Sequence, residues 1–250
     1  MSDLTLIIPA KKEKESLPKV LQSLKYLNHK IIVSLPKNDL ETIDSIKSFN
    51  ILIHEQMGKG YGNSITEGIN KCSTKYFCIF NADGSFEYKD LEKMLIECEN
   101  NDFVFASRYL RGGGSDDDTI ITYIGNKIFS LVGRLLFSLN LSDILYTYVM
   151  GKTSKFKKLN IKSNDFRFCV EFPIKIELYK MNYTSVPSYE KKRIGGEKNP
   201  ALDLHANFGD IVDMFTTRVY LENMAARVDY GRLRGLKLGE VEQIYQKNKK

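Results

Sequence analysis

The first 107 residues alternate between two hydrophobic periods, and this alternation limits the possible folds more than any other feature. Apolar runs (LTLIIPA, KIIVSL, NILIHEQ, KYFCIFNAD, NDFVFASRY) take turns with segments of helical spacing (SLPKVLQSLKYL, DLETIDSIKSF, GYGNSITEGINKC, YKDLEKMLIECEN). Apolar runs of this kind read as buried strands, and strands separated by helices of this length pair in parallel. The expected class is therefore α/β, a mainly parallel sheet flanked by helices. Ser16 stands as N-cap before Pro18, and Asp39 as N-cap of the second helix. Ligands of such sheets bind beyond the carboxyl ends of the strands. Pro9-Ala10, Ser34-Leu35, Gln56 to Gly60, Asn81 to Asp83 and Ser107-Arg108 all fall at such ends and should converge.

The second half is organised differently. RGGGSDDD is a loop, with Asp116, Asp117 and Asp118 assigned to solvation. TIITYIGNKIFSLVGRLLFSLN has a long helical pattern with a break expected at Gly125. ILYTYVMGK reads as a strand, FRFCVEFPIKIELYKMN as a helix and YTSVPSYEKK as a strand. Helices and a polar tail follow Pro200.

Of the 250 residues, 42% are apolar, enough for one large domain with a full core. The first apolar run reads as a strand and not as a leader. The apolar stretch 128–141 is interrupted by Arg134, so it is assigned to core packing, with membrane docking as its other use. Cys72, Cys78, Cys98 and Cys169 lack metal-ligand spacing and read as reduced core residues of a cytoplasmic protein. His29, His54 and His205 are isolated, which argues against a zinc site. The net charge of +6 gathers partly in KKEK and YEKKRIGGEK, as suits phosphates or an acidic lipid surface at the inner face of a membrane.

One turn raises a chemical question. In IFNADGSF a buried strand ends in Asn81-Ala82-Asp83-Gly84. Asp83 suits a divalent cation, whereas Asn81 offers only an uncharged oxygen, and Ser85 adds a hydroxyl.

IIPAKKEKESLPKVL, MGKGYGNSITEGI, IFNADGSF, ASRYLRGGG, LSDILYTYV and YEKKRIGGEK follow one another in this order. In that order they resemble the inverting family-2 glycosyltransferases of GT-A fold, nearest the dolichyl- and polyprenyl-phosphate branch. The resemblance runs from about residue 3 to 200. It implies a single domain over 1–200, with a nucleotide-binding half to 110, an acceptor half beyond, and a helical extension over 201–250. It further implies a nucleotide-sugar donor, Mg or Mn bridging its phosphates, and one in-line displacement with inversion. The acceptor would be a polyprenyl phosphate or a glycan hydroxyl. No nucleic-acid partner is expected; peripheral membrane contact and a homo-oligomer are both compatible with the chain.

Site residues follow from the same resemblance. Pro9, Ala10 and Glu13 would wrap base and ribose, with Ser34 beside them. Gly58, Lys59 and Gly60 would approach the nucleotide at a helix start, where anions are favoured. Asp83 would be the principal metal ligand and Asn81 its neighbour. Arg108 would serve acceptor and phosphates, and Asp143 would be the carboxylate at the reacting centre. Glu171 would be either functional or paired with a base such as Arg193. Arg193 and Lys198 would close on the diphosphate, with Gly195 and Gly196 giving the loop mobility. The chain departs from the family at Lys12 (usually Asn), at Asn81 (usually Asp), at Glu197 (usually Ser) and in SLPKND, which replaces an acidic turn. Two rivals remain. A nucleotidyltransferase would carry its glycine-rich signature where PAKKEKE stands. A nucleotide-sugar-binding paralogue without catalysis would explain Asn81 and SLPKND.

Overall fold

In the computed structural model, which describes residues 3–195, β1 (Leu4–Pro9) is buried along its whole length. It pairs in parallel with β2 (Lys30–Pro36) on one side and β4 (Tyr76–Ile79) on the other. With β3 (Leu52–Gln56), β5 (Phe103–Ser107), β7 (Val149–Lys152) and β8 (Tyr183–Pro187) they form a seven-stranded sheet of order β3-β2-β1-β4-β7-β5-β8. All its neighbours are parallel except β7, which runs antiparallel to both β4 and β5. A small parallel ribbon joins β6 (Gly114–Ser115) to β9 (Tyr189–Glu190).

Alternation along β1 divides the core. Leu4, Leu6 and Ile8 face a layer that includes α1 (Leu17–Leu24), α2 (Leu40–Ile46) and α4 (Asp90–Asn100). Ile7 faces the other layer, with α3 (Tyr61–Lys71), α5 (Ile120–Phe137), α6 (Thr153–Leu159) and α7 (Phe168–Leu178). All four cysteines are buried and reduced.

The expected class holds, with local corrections. The strand expected from Ile144 begins only at Val149, and α6 was not expected. α5 runs unbroken through Gly125, where nothing lies within 4 Å of the missing side chain. A lone exposed glycine costs about 1 kcal/mol in a helix, and the capping box of Thr119 with Thr122 helps offset it. Neither expected N-cap caps through its side chain. Ser16 donates to the Glu13 carboxylate. Asp39 accepts from the Lys12 amide at 2.6 Å. Lys12 sits at φ +59, a left-handed conformation that Asn tolerates better than Lys. The segment 201–250 and Lys198 lie outside the described residues.

Candidate active site at the carboxyl edge of the sheet

The turn after β4 is held tightly. The Ser85 amide donates to one carboxylate oxygen of Asp83 at 2.9 Å, and Asn81 Nδ2 reaches Ser85 Oγ at 3.4 Å. Beneath lies an aromatic floor. Phe86 stacks on Tyr148 at 4.5 Å and meets Tyr146 at 5.0 Å, while Phe80 meets Phe86 edge-on at 5.8 Å. Such pairs add about 0.5–1.5 kcal/mol each beyond their burial. Gly84 has φ +81, and a Cβ there would lie 2.5 Å from Ile194. Only glycine fits.

Ile194 belongs to the late basic segment, which lies on this turn. The Ile194 amide donates to Asp83 O and the Lys191 amide to Ser85 O, both at 2.8 Å. Lys191 pairs with Glu87 at 2.7 Å. The Arg193 guanidinium stands 3.3 Å from Asp117 and 3.9 Å from Asp83. Two carboxylates from distant parts of the chain thus face one cation. Among the described residues no group of three His, Cys, Asp or Glu side chains gathers as metal ligands. A single carboxylate with phosphate and water oxygens still suits Mg or Mn. The Arg193 contact shows that a positive charge is stabilised at this spot, so the residues present fit a divalent cation.

Glu13 faces the same place. Burial raises its carboxyl pKa, the Ser16 hydroxyl opposes that rise, and the nearby Asp83 charge adds to it while Arg193 lowers it. Its loop is fastened to α2 by Lys12 N to Asp39 and by Glu13 N to Thr42 at 3.0 Å. Pro9 and Ala10 are buried at the end of β1, where Ala10 N donates to Ser34 O. Ser34 corrects an expectation. Its side chain is fully buried beside Gly68 of α3, so it packs the layer between sheet and helix and offers no surface to a nucleotide.

The Gly58-Lys59-Gly60 loop owes its shape to a residue that sequence reasoning missed. Glu67, on α3, accepts from the Met57 and Gly58 amides at 2.9 Å and from His54 at 2.8 Å. Burial alone would raise its pKa, but these donors hold it below the usual carboxylate range. Gly60 has φ +98, and a Cβ would meet Asn164 O at 2.2 Å. Lys59 is exposed. Tyr61, next in the chain, stacks on Phe166 at 5.0 Å and hydrogen-bonds Thr147 at 2.8 Å.

Arg108 and Asp143 do come together, though not as independent groups. Asp143 accepts from Arg108 Nε at 2.8 Å, Nη2 at 2.9 Å and the backbone amide at 3.1 Å. Its side chain is 0% exposed, which corrects its assignment as the carboxylate at the reacting centre. It orients Arg108 instead. Arg108 Nη1 also meets Glu190 at 3.1 Å and Asp118 at 3.5 Å. Burial disfavours the guanidinium charge, but Asp143 and then Glu190 hold its pKa well above the ordinary value. The three aspartates assigned to solvation are all engaged. Asp116 accepts from Tyr189, Asp117 meets Arg193, and Asp118 accepts from Tyr109 at 2.8 Å. Beside this cluster lies a cavity of about 280 Å³, walled by Arg108, Tyr109, Ser115, Asp118, Ile120 and Tyr123 among others.

Glu171 pairs with Lys175 at 2.7 Å and not with Arg193. It also accepts from the Lys162 amide at 2.9 Å and the Ser163 amide at 2.7 Å, fastening the loop before α7. Burial raises its pKa, but Lys175 and the Ser163 donors together outweigh this and the net shift is downward. The stability from Glu171 is therefore present above the unfolded value of roughly 4.3 and is lost as pH falls through the lower folded value. Glu171→Gln is expected to cost about 1–3 kcal/mol at neutral pH. Urea midpoints should show the gap to wild type closing as pH falls below that unfolded value. A gap that stays constant with pH would remove the carboxylate charge from the account.

The sequence profile of glycosyl transferase family 2 matches residues 5–159. Uncharacterized glycosyltransferases of Mycobacterium bovis and Mycobacterium tuberculosis are 26% identical over 97 residues. The match covers 38% of this chain and 44% of theirs, so the chain spans less than half the length of those relatives. Mannosyl-3-phosphoglycerate synthase from Rubrobacter xylanophilus superposes with a TM-score of 0.66 at 13% identity, over 90% of this chain and 76% of that one. Glucosyl-3-phosphoglycerate synthase from Mycobacterium tuberculosis, solved with Mn2+, UDP and glucosyl-3-phosphoglycerate, superposes with a TM-score of 0.65 at 12% identity, over 86% and 79%. At such identities the likeness is one of fold, the GT-A fold. With the family profile spanning more than half of its residues, the chain belongs to glycosyl transferase family 2.

Proposed function

We propose that the protein is an inverting glycosyltransferase that takes a sugar from a nucleoside-diphosphate donor with the help of Mg or Mn. The observation that carries this reading is the meeting of Glu13, Asp83, Asp117 and Arg193 at the carboxyl edge of the sheet. Glu13 accepts from a ribose hydroxyl. Asp83 and Asn81 would hold the cation, which would neutralise charge on the departing diphosphate. Arg193 moves from the two carboxylates to the phosphates when the donor binds. The acceptor oxygen forms its bond to the anomeric carbon as the bond to the phosphate oxygen breaks, and the diphosphate leaves with the electron pair.

The cavity beside Arg108 favours a hydroxyl acceptor. Asp143, Glu190 and Asp118 surround a single guanidinium, and this surplus of negative charge repels an incoming phosphate. Asp118 lies in the cavity wall and is the carboxylate placed to take the hydroxyl proton. A second reading, transfer to a polyprenyl phosphate, is favoured by Ile120 and Tyr123 in the same wall. The two separate experimentally. Asp118→Asn should slow transfer to a glycan hydroxyl by ~100-fold or more but not slow transfer to a phosphate, which needs no base and meets less repulsion without the Asp118 charge.

The overall reading is tested by thermal shifts with nucleoside diphosphates and nucleotide sugars, with and without Mn. A donor at a hundred times its Kd adds about 2.7 kcal/mol of stability. No shift from any diphosphate in Mn would defeat the proposal.

Asn81→Asp is expected to tighten Mn-dependent donor binding, because a second charged oxygen joins the turn. Without metal the added charge repels the phosphates, so binding should weaken there. A metal titration of donor affinity reads both. Unchanged metal affinity would place Asn81 outside the coordination shell.

A further inference from the structure

α5 presents an apolar face to solvent. Ile120, Ile121, Ile124, Ile128, Leu131 and Leu135 are all at least half exposed. At 100° per residue they fall within an arc of about 100°. Phe129, Ser130, Gly133 and Phe137 lie on the buried side, packed into the domain. The helix has 18 residues and a mean hydropathy of 1.3, the length and composition of a spanning segment, yet only 28% of it is buried. A core helix would be mostly covered. Of the stretch 128–141 assigned to core packing, Phe129, Phe137, Leu139 and Leu141 do pack the core, while Ile128, Leu131 and Leu135 face solvent.

Its charges are one-sided. From Thr119 to Ser142 there is no acidic residue, while Lys127 and Arg134 lie along one border of the apolar arc. Lys127 stands over the rings of Tyr109 and Tyr123, and Arg134 is exposed. The acidic residues just before the helix are occupied, Asp116 by Tyr189, Asp117 by Arg193 and Asp118 by Arg108 and Tyr109. An amphipathic helix with one basic border and no acidic residue is suited to an anionic lipid surface.

We propose that α5 is a membrane-docking helix, lying flat on an anionic bilayer with Ile121, Ile124, Ile128, Leu131 and Leu135 inserted among the acyl chains and Arg134 at the headgroups. Because its first turn, through Ile120 and Tyr123, also walls the cavity beside Arg108, docking sets that cavity against the lipid surface. The proposal concerns the surface alone and does not depend on which sugar or acceptor is used.

The test is flotation of the full chain with vesicles of phosphatidylcholine, with and without phosphatidylglycerol, in the absence of any substrate. The wild type should float with phosphatidylglycerol vesicles and lose binding in high salt. The double variant Ile124→Glu/Ile128→Glu should lose at least tenfold in vesicle affinity with an unchanged circular dichroism spectrum. Arg134→Gln should lose roughly fivefold, the equivalent of one basic contact. Three results would each overturn the proposal. One is a wild type that floats with neither vesicle. Another is a double variant that dissociates a wild-type dimer in sedimentation without changing flotation, which would assign the face to a second copy. The third is a double variant whose Tm falls by several degrees without vesicles, which would assign it to residues 196–250 of the same chain. Donor thermal shifts should be the same in all variants, so failure here leaves the transferase reading standing.

Discussion

Asp83→Ala is expected to weaken Mn-dependent binding of a nucleoside diphosphate by more than ~100-fold, since even partners one shell out from a metal cost 10–100-fold. Thermal stability should change little. The side chain accepts one amide bond, from Ser85, worth about 1 kcal/mol net, and that loss lowers Tm by about 2–4 °C in a chain of this size. Its contact with Arg193 is long, with the guanidinium side chain 38% exposed, and adds little. Calorimetric titration of the diphosphate with and without Mn gives the answer. Asp83→Asn is the control, because an amide oxygen can keep the Ser85 bond while the charge is gone. If Asp83→Ala binds diphosphate in Mn as tightly as wild type, the cation is held elsewhere.

The second large effect is on folding. Arg108→Ala is expected to destabilise the protein by about 3–5 kcal/mol, because it strands buried carboxylates. This corresponds to a fall of roughly 6–20 °C in Tm. Asp143, Glu190 and Asp118 would face one another without a cation between them. Their mutual repulsion, with no cation to offset it, is the source of the loss. Urea midpoints of the variant and the wild type at pH 7 read it. An Arg108→Ala protein as stable as wild type at pH 7 would mean that water, and not the guanidinium, balances the cluster. Restoring much of the loss with the apolar pair Arg108→Met/Asp143→Leu would show the cost to be one of unpaired charge.

Much of the nucleotide-facing half was legible because strand and helix periods are local properties. Every strand from β1 to β5 stands where its apolar run lies. The direction of β7 was not legible, since a strand pattern reads the same in both directions and only its register with β4 and β5 decides. The Asp116–Asp118 run looked like a solvated loop because its cations come from distant residues, Arg108 and Arg193. Glu67 was invisible for the same reason, since its role depends on the loop folding back over α3. Ser34, by contrast, was readable. Counting by two from Ile32, which is buried in the α3 layer, places Ser34 on that same covered face.

The position of β7 bears on how the protein is made. Its four residues arrive about forty positions after β5, yet they fill the gap between β4 and β5, which have no direct pairing. While the ribosome is still adding α5, β4 and β5 each carry an unpaired inner edge, the kind of surface that recruits other chains. The sheet becomes continuous only once Lys152 has emerged, and its outer strand β8 comes later still. The two halves are therefore not successive folding units. The molecule must wait for its middle strand, and its unpaired edges face chaperones and aggregation during synthesis of the second half.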